Sequence, residues 1–491
     1  MSFPSRRDFL QDSLLAAAAA AASRSALAND APAPADGAKP AGPNGRVRVA
    51  VIGVRGQGRA HLRWLLNEPD TEIAAVCDAD LADDIVGPAV QMVEKARGKA
   101  PAVVQDLRKI FDDKSIDAVT IATPDHWHAL AAVWAMQAGK DVYVEKPIAH
   151  DVREGRAIVN WSRKLGRIVQ AGTQRRSFRA MQEAVRFVRE GGIGKIRLAR
   201  AIVHRPRKTI GRLEGAPKVP PTVDFDLWCG PGPKVPPRRV EFHYDWHWFW
   251  DYGTGEMGNN GVHQIDVCRW MLGKQELPKS ILSVGGRYAW DDDGETPNAQ
   301  VAVYDWGDAK LVAEVRSLPS DPCPGPGRVG EGFLIYGEKG VLASDKTDHA
   351  AAFDADGKLV REFDGDGKSM RNFLDAVKSR RREDQFAEIL DGHLSSAICM
   401  LGNVSWRCGE TQAPGPSAKP FGDDAEGQEA VDRLRAHLTG HGVDFAKTPL
   451  HVGRRLTFDP AAESFTGEGA AAANALLGRE YRTPFVVPQC S

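Results

Sequence analysis

The chain has 491 residues, 42% hydrophobic and 26% charged, enough for about two or three domains with full cores. Its 64 Lys plus Arg balance 65 Asp plus Glu, which excludes a broad basic surface for nucleic acid. No apolar run reaches the roughly 20 residues that span a bilayer, so no stable membrane insertion is expected, and collagen-like, coiled-coil and wholly disordered classes fail on composition.

At the start, Ser5-Arg6-Arg7-Asp8-Phe9-Leu10 precedes an alanine-rich stretch from Leu14 to Ala22, and Ala26-Leu27-Ala28 supplies a small-x-small cleavage site. The pattern reads as a removable signal peptide over residues 1–28, and its arginine pair resembles the twin-arginine type, which carries folded proteins to the periplasm. Residues 29–45 are Ala/Pro/Gly-rich and read as a linker. The seven cysteines are scattered, odd in number and without a C-x-x-C, which argues against a disulfide framework or a zinc knuckle.

Residues 46–171 read as a dinucleotide fold. Arg46 to Ile52 gives a first strand, Gly53-Val54-Arg55-Gly56-Gln57-Gly58 a glycine-rich turn, and Arg59 to Leu66 a helix. A second strand, Ile73 to Cys77, ends at Asp78, 20 residues beyond Gly58. In such a layout the N–H groups at the helix start hold a pyrophosphate, and the acid accepts from a ribose 2′-hydroxyl, which favours NAD over NADP. Arg55 stands where the second glycine of G-x-G-x-x-G belongs, and Arg55 and Arg59 are both near enough in sequence to meet a 2′-phosphate. Strands then alternate with helices: Leu81 to Arg97, Asp106 to Asp112, His126 to Ala138 and Asp151 to Leu165 helical; Ala102 to Val104, Asp117 to Ala122, Asp141 to Val144 and Ile168 to Ala171 extended. That predicts a doubly wound parallel sheet with its ligand beyond the carboxyl ends of the strands, where Thr123-Pro124 and Glu145-Lys146-Pro147 fall.

Thr123-Pro124-Asp125-His126-Trp127-His128, Gly139-Lys140 and Val142-Tyr143-Val144-Glu145-Lys146-Pro147 resemble the Gfo/Idh/MocA oxidoreductases. Gly258-Asn259-Asn260-Gly261-Val262-His263-Gln264-Ile265-Asp266 resembles that family's active-site helix in the second domain, and the likeness runs from about Arg46 to Gly409. It implies Lys146 and His263 as catalytic residues and a nicotinamide cofactor contacted by Thr123, Pro124, His128, Glu145, Lys146 and Gln174 beside Gly53, Arg55, Gly56, Gln57, Gly58 and Asp78. Asn259 replaces the Asp of the family's D-x-x-x-H pattern; an amide orients a hydroxyl but accepts no proton. Asp125 stands where the family usually has Asn, and would also suit a helix start. Asp266, one turn after His263, is a candidate to orient the imidazole, with a helix-capping or surface role as the equal alternative.

From residue 172 to 491 the pattern changes. Strand-like runs at Ile196 to Val203, Ser280 to Val284, Gln300 to Tyr304, Lys310 to Arg316 and Phe333 to Tyr336, and hairpin spacing over Ala343 to Arg361, suggest an α+β domain with a large, mostly antiparallel, open-faced sheet. The resemblance implies homo-oligomer contacts through that face. A Pro/Gly-rich excursion to about Arg239 leads into Phe242-His243-Tyr244-Asp245-Trp246-His247-Trp248-Phe249-Trp250. Aromatic rings with interleaved polar groups suit a sugar, and Tyr244, Trp246, His247 and Asn259 are candidate substrate contacts. His243 and His247 lie four apart, but the flanking sequence reads as extended or irregular and no metal site is expected. The expected activity is hydride transfer between a retained NAD(P) and a sugar, polyol or glycoside. The alternative is a glycosidase that works through transient oxidation of the sugar and elimination.

Overall fold

The computed structural model describes residues 45–411 and 419–490. The signal peptide at 1–28, and the linker apart from its last residue, lie outside the described residues. Among those described, no helix is long and apolar enough to cross a membrane.

The first sheet is parallel and ordered β3-β2-β1-β4-β5-β6, with strands β1 (Val47–Ile52), β2 (Thr71–Cys77), β3 (Ala102–Val104), β4 (Ala118–Ile121), β5 (Asp141–Val144) and β6 (Val169–Ala171). This is the doubly wound order, with its crevice between β1 and β4. β4 and β5 are buried at every position, as a sheet covered on both faces requires. Helices α1 (Gln57–Leu66) and α2 (Asp83–Arg97) cover one face; α3 (Leu107–Asp112), α4 (Asp125–Gln137) and α5 (Val152–Leu165) cover the other. Asp151 caps α5 by accepting from the Glu154 N–H at 2.9 Å.

The second sheet has twelve strands. β7 (Ile196–His204) pairs in parallel with β10 (Lys310–Arg316), and the remaining pairings are antiparallel, through β8 (Ser280–Gly286), β9 (Ala299–Asp305), β11 (Glu331–Gly337), β12 (Gly340–Ser344), β13 (His349–Asp354), β14 (Leu359–Asp364) and four short strands after residue 409. Alternation along these strands splits their side chains between two cores. Ala302, Tyr304, Ala313 and Val315 face α6 (Arg179–Arg189), α7 (Val262–Leu272) and α9 (Ile389–Arg407). Val301, Val303 and Val312 face α10 (Ala425–Gly440), which lays Ala430, Val431, Leu434 and Leu438 across them. The face expected to be open is therefore covered over β8–β10 by the chain's own helix.

The parallel sheet ends at Ala171, and its covering core draws on residues from later in the chain. Helix α8 (Ser369–Ser379) packs Met370, Phe373, Leu374 and Val377 against Val47, Val49, Tyr143 and Ile168 of the first domain. Near the other end of the chain, Phe485 stacks edge-on against Trp127 of α4, with ring centroids 5.5 Å apart.

An ionic joint ties the turn that follows β6 to the helices of the second domain. Arg176, in the turn after β6, donates to both oxygens of Asp266 on α7 at 2.8 and 3.0 Å and reaches Asp391 on α9 at 3.1 Å. Arg269 holds the other side of Asp391 at 2.5 Å, and Ser395 donates to Asp266 at 2.6 Å. Asp266 is thus occupied by this joint and does not orient His263. Removing one partner of a buried pair strands the other charge, at a cost of about 3–5 kcal/mol. Asp266→Ala should lower the stability measured by denaturant unfolding by that order, and an unchanged unfolding midpoint would contradict the joint.

Candidate active site

A cavity of about 320 Å³ lies beyond the carboxyl ends of β1, β2, β4 and β5, the size range of small-ligand sites. Its first wall is the glycine-rich turn. Gly53 has φ +82°, and a Cβ there would come within 2.6 Å of the Ala122 carbonyl. A Cβ on Gly58 would sit 1.8 Å from the Gly53 carbonyl, so Gly58 lets α1 start tight against β1 and does not itself line the cavity. Gly56 and Gln57 do line it, and a Cβ on Gly56 would meet nothing within 4 Å. The start of α1 therefore faces open space, as a pyrophosphate needs.

Asp78 follows β2. Its two oxygens accept the Val54 N–H at 2.9 Å and the Asp80 N–H at 3.1 Å, which fixes the carboxylate against the turn. Burial nevertheless pushes its carboxyl above the ordinary value. The two neighbouring arginines differ in how firmly they are held. Arg59 donates to the carbonyls of Val54, Asp84 and Ile85, and Arg55, which lines the cavity, pairs with Glu241 at 3.3 Å.

Glu145 and Lys146 end β5. Glu145 is buried and accepts from His61 at 2.9 Å, Gln57 at 3.2 Å and Gln174 at 2.7 Å through one oxygen, and from the Lys146 N–H at 3.2 Å through the other. Burial alone would raise its carboxyl, but these donors and the nearby cations hold it below the usual range. Gln174 serves Glu145 and is not part of the cavity lining. The Lys146 ammonium donates to the Asn259 backbone carbonyl at 2.9 Å and to its side-chain oxygen at 3.4 Å. That carbonyl is available because Met257–Gly261 forms a π-helical turn ahead of α7, a local widening that redirects backbone groups. His128, one turn into α4, sets its nitrogens 2.6 Å from the Pro147 carbonyl and 2.8 Å from that of Thr123. It clamps the Lys146–Pro147 corner to the helix. Asp125, the first residue of α4, lines the cavity and accepts the Thr254 hydroxyl at 2.7 Å. It does not cap its helix, for which Pro124 is the N-cap residue.

The opposite wall is the aromatic segment. It is coiled in two short turns, Phe242–Asp245 and Trp246–Trp248, where the sequence reads as extended or irregular. Tyr244, Trp246 and His247 all line the cavity. His247 stacks on Trp246 with centroids 3.6 Å apart and donates from Nδ1 to the Tyr244 carbonyl, leaving Nε2 as an acceptor. Desolvation pushes its imidazole down to about 3, so it is neutral. Tyr244 accepts from Arg207 at 3.0 Å, and Arg207 is held by Glu256 at 3.0 Å. His263 lies one turn beyond Asn259 and outside the cavity lining; burial, with Lys146 and two arginines nearby, drives it well below its ordinary value.

Gln105 and Trp228 in the cavity lining, and Asp80 beside it, were not singled out by the sequence, and His243 was weighed only as a metal partner of His247. His243 does not act with His247; its Nε2 lies 2.9 Å from Asp80. Around that contact the excursion crosses the edge of the first sheet. The Leu81 N–H donates to Thr222 O at 3.1 Å, the Asp224 N–H to Ala79 O at 2.9 Å, and Gln105 bridges Ala79 O and Thr222 O at 3.1 Å each. The signal was the excursion's length, since long loops without a core pattern in compact domains are usually functional.

Residues 47–173 match the sequence model of the GFO_IDH_MocA oxidoreductase family, NAD-binding Rossmann fold, and residues 210–304 match that of its C-terminal alpha/beta domain. The chain belongs to the Gfo/Idh/MocA oxidoreductases. Among curated relatives, an alpha-N-acetylgalactosaminidase from Shewanella oneidensis is 38% identical over 112 residues, 22% of this chain and 24% of that protein. A glycosyl hydrolase family 109 protein from Stenotrophomonas maltophilia is 38% identical over 146 residues, 28% and 29% of the two chains. These matches span only about a quarter of the relatives' length. Of solved structures, a levoglucosan dehydrogenase in complex with NADH superposes with a TM-score of 0.54 at 18% identity, over 72% of this chain and 95% of that one. The WlbA dehydrogenase from Bordetella pertussis, solved with NADH and UDP-GlcNAcA, gives 0.52 at 19% identity, over 72% and 94%. At such identities the likeness is one of fold.

An NAD-binding domain whose adenosine edge is crossed by a second-domain segment should release its nucleotide slowly. Each hydrogen bond to a charged group contributes about 1.5–3 kcal/mol. His243→Ala should therefore speed dissociation of NADH on the order of tenfold, followed by nucleotide fluorescence after dilution. An unchanged rate would show that the clasp does not gate release.

Proposed function

We propose that this chain moves a hydride between a retained NAD and a sugar, polyol or glycoside. The observation that carries the reading is the pairing of two walls in one cavity: the glycine-rich turn and Asp78 at one end, and Lys146, Asn259 and the Tyr244–Trp246–His247 aromatic surface at the other. Rings flanked by hydrogen-bonding groups suit a carbohydrate, whose C–H faces stack while its hydroxyls bond. Gly56, Gln57 and Asp78 would hold the dinucleotide, which when bound supplies the hydride acceptor or donor. Lys146, fixed by Asn259, steadies the negative charge that develops on the reacting oxygen.

A second reading shares this first step. The names of the curated relatives favour a glycosidase that oxidises its sugar, eliminates the aglycone and reduces the product on the same nucleotide. The two differ in whether reduced nucleotide accumulates when a sugar or glycoside is added.

The reading is tested by following near-ultraviolet absorbance of reduced nicotinamide after mixing with pyranoses, polyols and glycosides. A reactive compound should be found, and Lys146→Ala should slow its turnover by about 10²–10⁴ while nucleotide stays bound. Near-normal turnover in that variant would refute the assignment. We also propose export through the Arg6–Arg7 leader; Arg6→Lys with Arg7→Lys should leave precursor in the cytoplasm, and undiminished export would overturn it.

A further inference from the structure

Oxidation of a carbinol sets free one proton for each hydride removed, and some group at the nicotinamide end must take it. Asn259 has no acid–base chemistry at the position where the family's carboxylate is expected. Lys146 is engaged with both oxygens of Asn259. His263 lies outside the cavity lining, and Glu145, which lines it, already has four donors on its two oxygens. Asp125 is different. It lines the same cavity as Lys146, Asn259 and His247, is 3% exposed, and among the described residues has one side-chain donor, the Thr254 hydroxyl.

We propose that Asp125 is a further catalytic residue, the carboxylate that takes the substrate's hydroxyl proton during oxidation and returns it during reduction. The carbinol C–H hydrogen and its electron pair go to the oxidised nicotinamide, the O–H proton goes to an Asp125 oxygen, and the carbinol becomes a carbonyl. The inference rests on the oxidoreductase reading above.

The electrostatics agree with the geometry. Burial pushes the Asp125 carboxyl up to about 7, while the Thr254 hydroxyl and the Lys146 charge oppose the rise. A proton carrier works best when its pKa lies near the working pH. The other titratable groups around it are shifted away from that range. His128, on its own helix, and His247, from the aromatic segment, are both pushed below their ordinary values by desolvation, and Glu145 is held below its own. A bound oxidised ring is cationic and favours ionised Asp125; the reduced ring is neutral and lets it keep a proton.

The test uses the holoenzyme and needs no substrate. Bound NAD is reduced with dithionite at neutral pH, and the infrared difference spectrum is read against the near-ultraviolet absorbance of reduced nicotinamide. A protonated-carboxyl band that shifts in deuterated water should grow with reduction and be absent from Asp125→Asn. Thr254→Val, which removes the donor that stabilises the carboxylate, should show the band already in the oxidised state. Reduction without a carboxyl band, or a band that persists in Asp125→Asn, would overturn the proposal. Absence of any reducible nucleotide would instead remove the oxidoreductase reading on which it stands.

Discussion

A parallel sheet leaves the backbone groups at its carboxyl edge without strand partners, and each must find a donor, an acceptor or water. In this chain the edge after β2 is met by residues 222–224, which exchange backbone hydrogen bonds with residues 79–81. That crossing brings the aromatic segment over the crevice and sets His243 against Asp80. The cavity is consequently made of both domains: without the crossing, Tyr244, Trp246 and His247 would have no fixed position relative to Asp78 and Lys146.

The crossing alone would give a hinge. What makes the walls hold is the ionic joint behind them, Arg176 and Arg269 against Asp266 and Asp391, at the base of the helix that carries Asn259 and His263. On the dinucleotide side, Glu145 collects four hydrogen bonds and so fixes the backbone from which Lys146 projects. Rigid placement matters because the interactions that speed a reaction are those aimed in advance at the charge that develops. The same enclosure that positions these groups also dries them, which explains why the imidazoles of His128 and His247 are pushed below their ordinary value while the Asp125 carboxyl is pushed up to about 7.

Local pattern made much of the first domain legible. Buried apolar strands, Asp151 ahead of α5 and the glycines at 53 and 58 are all short-range features whose physics does not depend on the rest of the chain. Long-range partners were not legible in the same way. Nothing near Asp266 in sequence indicates that Arg176 claims it, and nothing near residue 370 indicates that α8 completes the core beneath β1. The aromatic segment misled in its backbone and not in its place: β-prone residues coil there because their rings pack on one another and on Trp228. His243 was weighed only for its spacing to His247, whereas its partner lies on the other domain, 163 residues away.

In the proposed function both domains enclose one nucleotide, read at its ribose by Asp78. This is tested most directly by denaturing the purified, unsupplemented protein and identifying what is released by chromatography and mass. Near-stoichiometric NAD or NADH is the expected result. Release of NADP, or of no nucleotide from protein that also fails to bind added NAD, would contradict it.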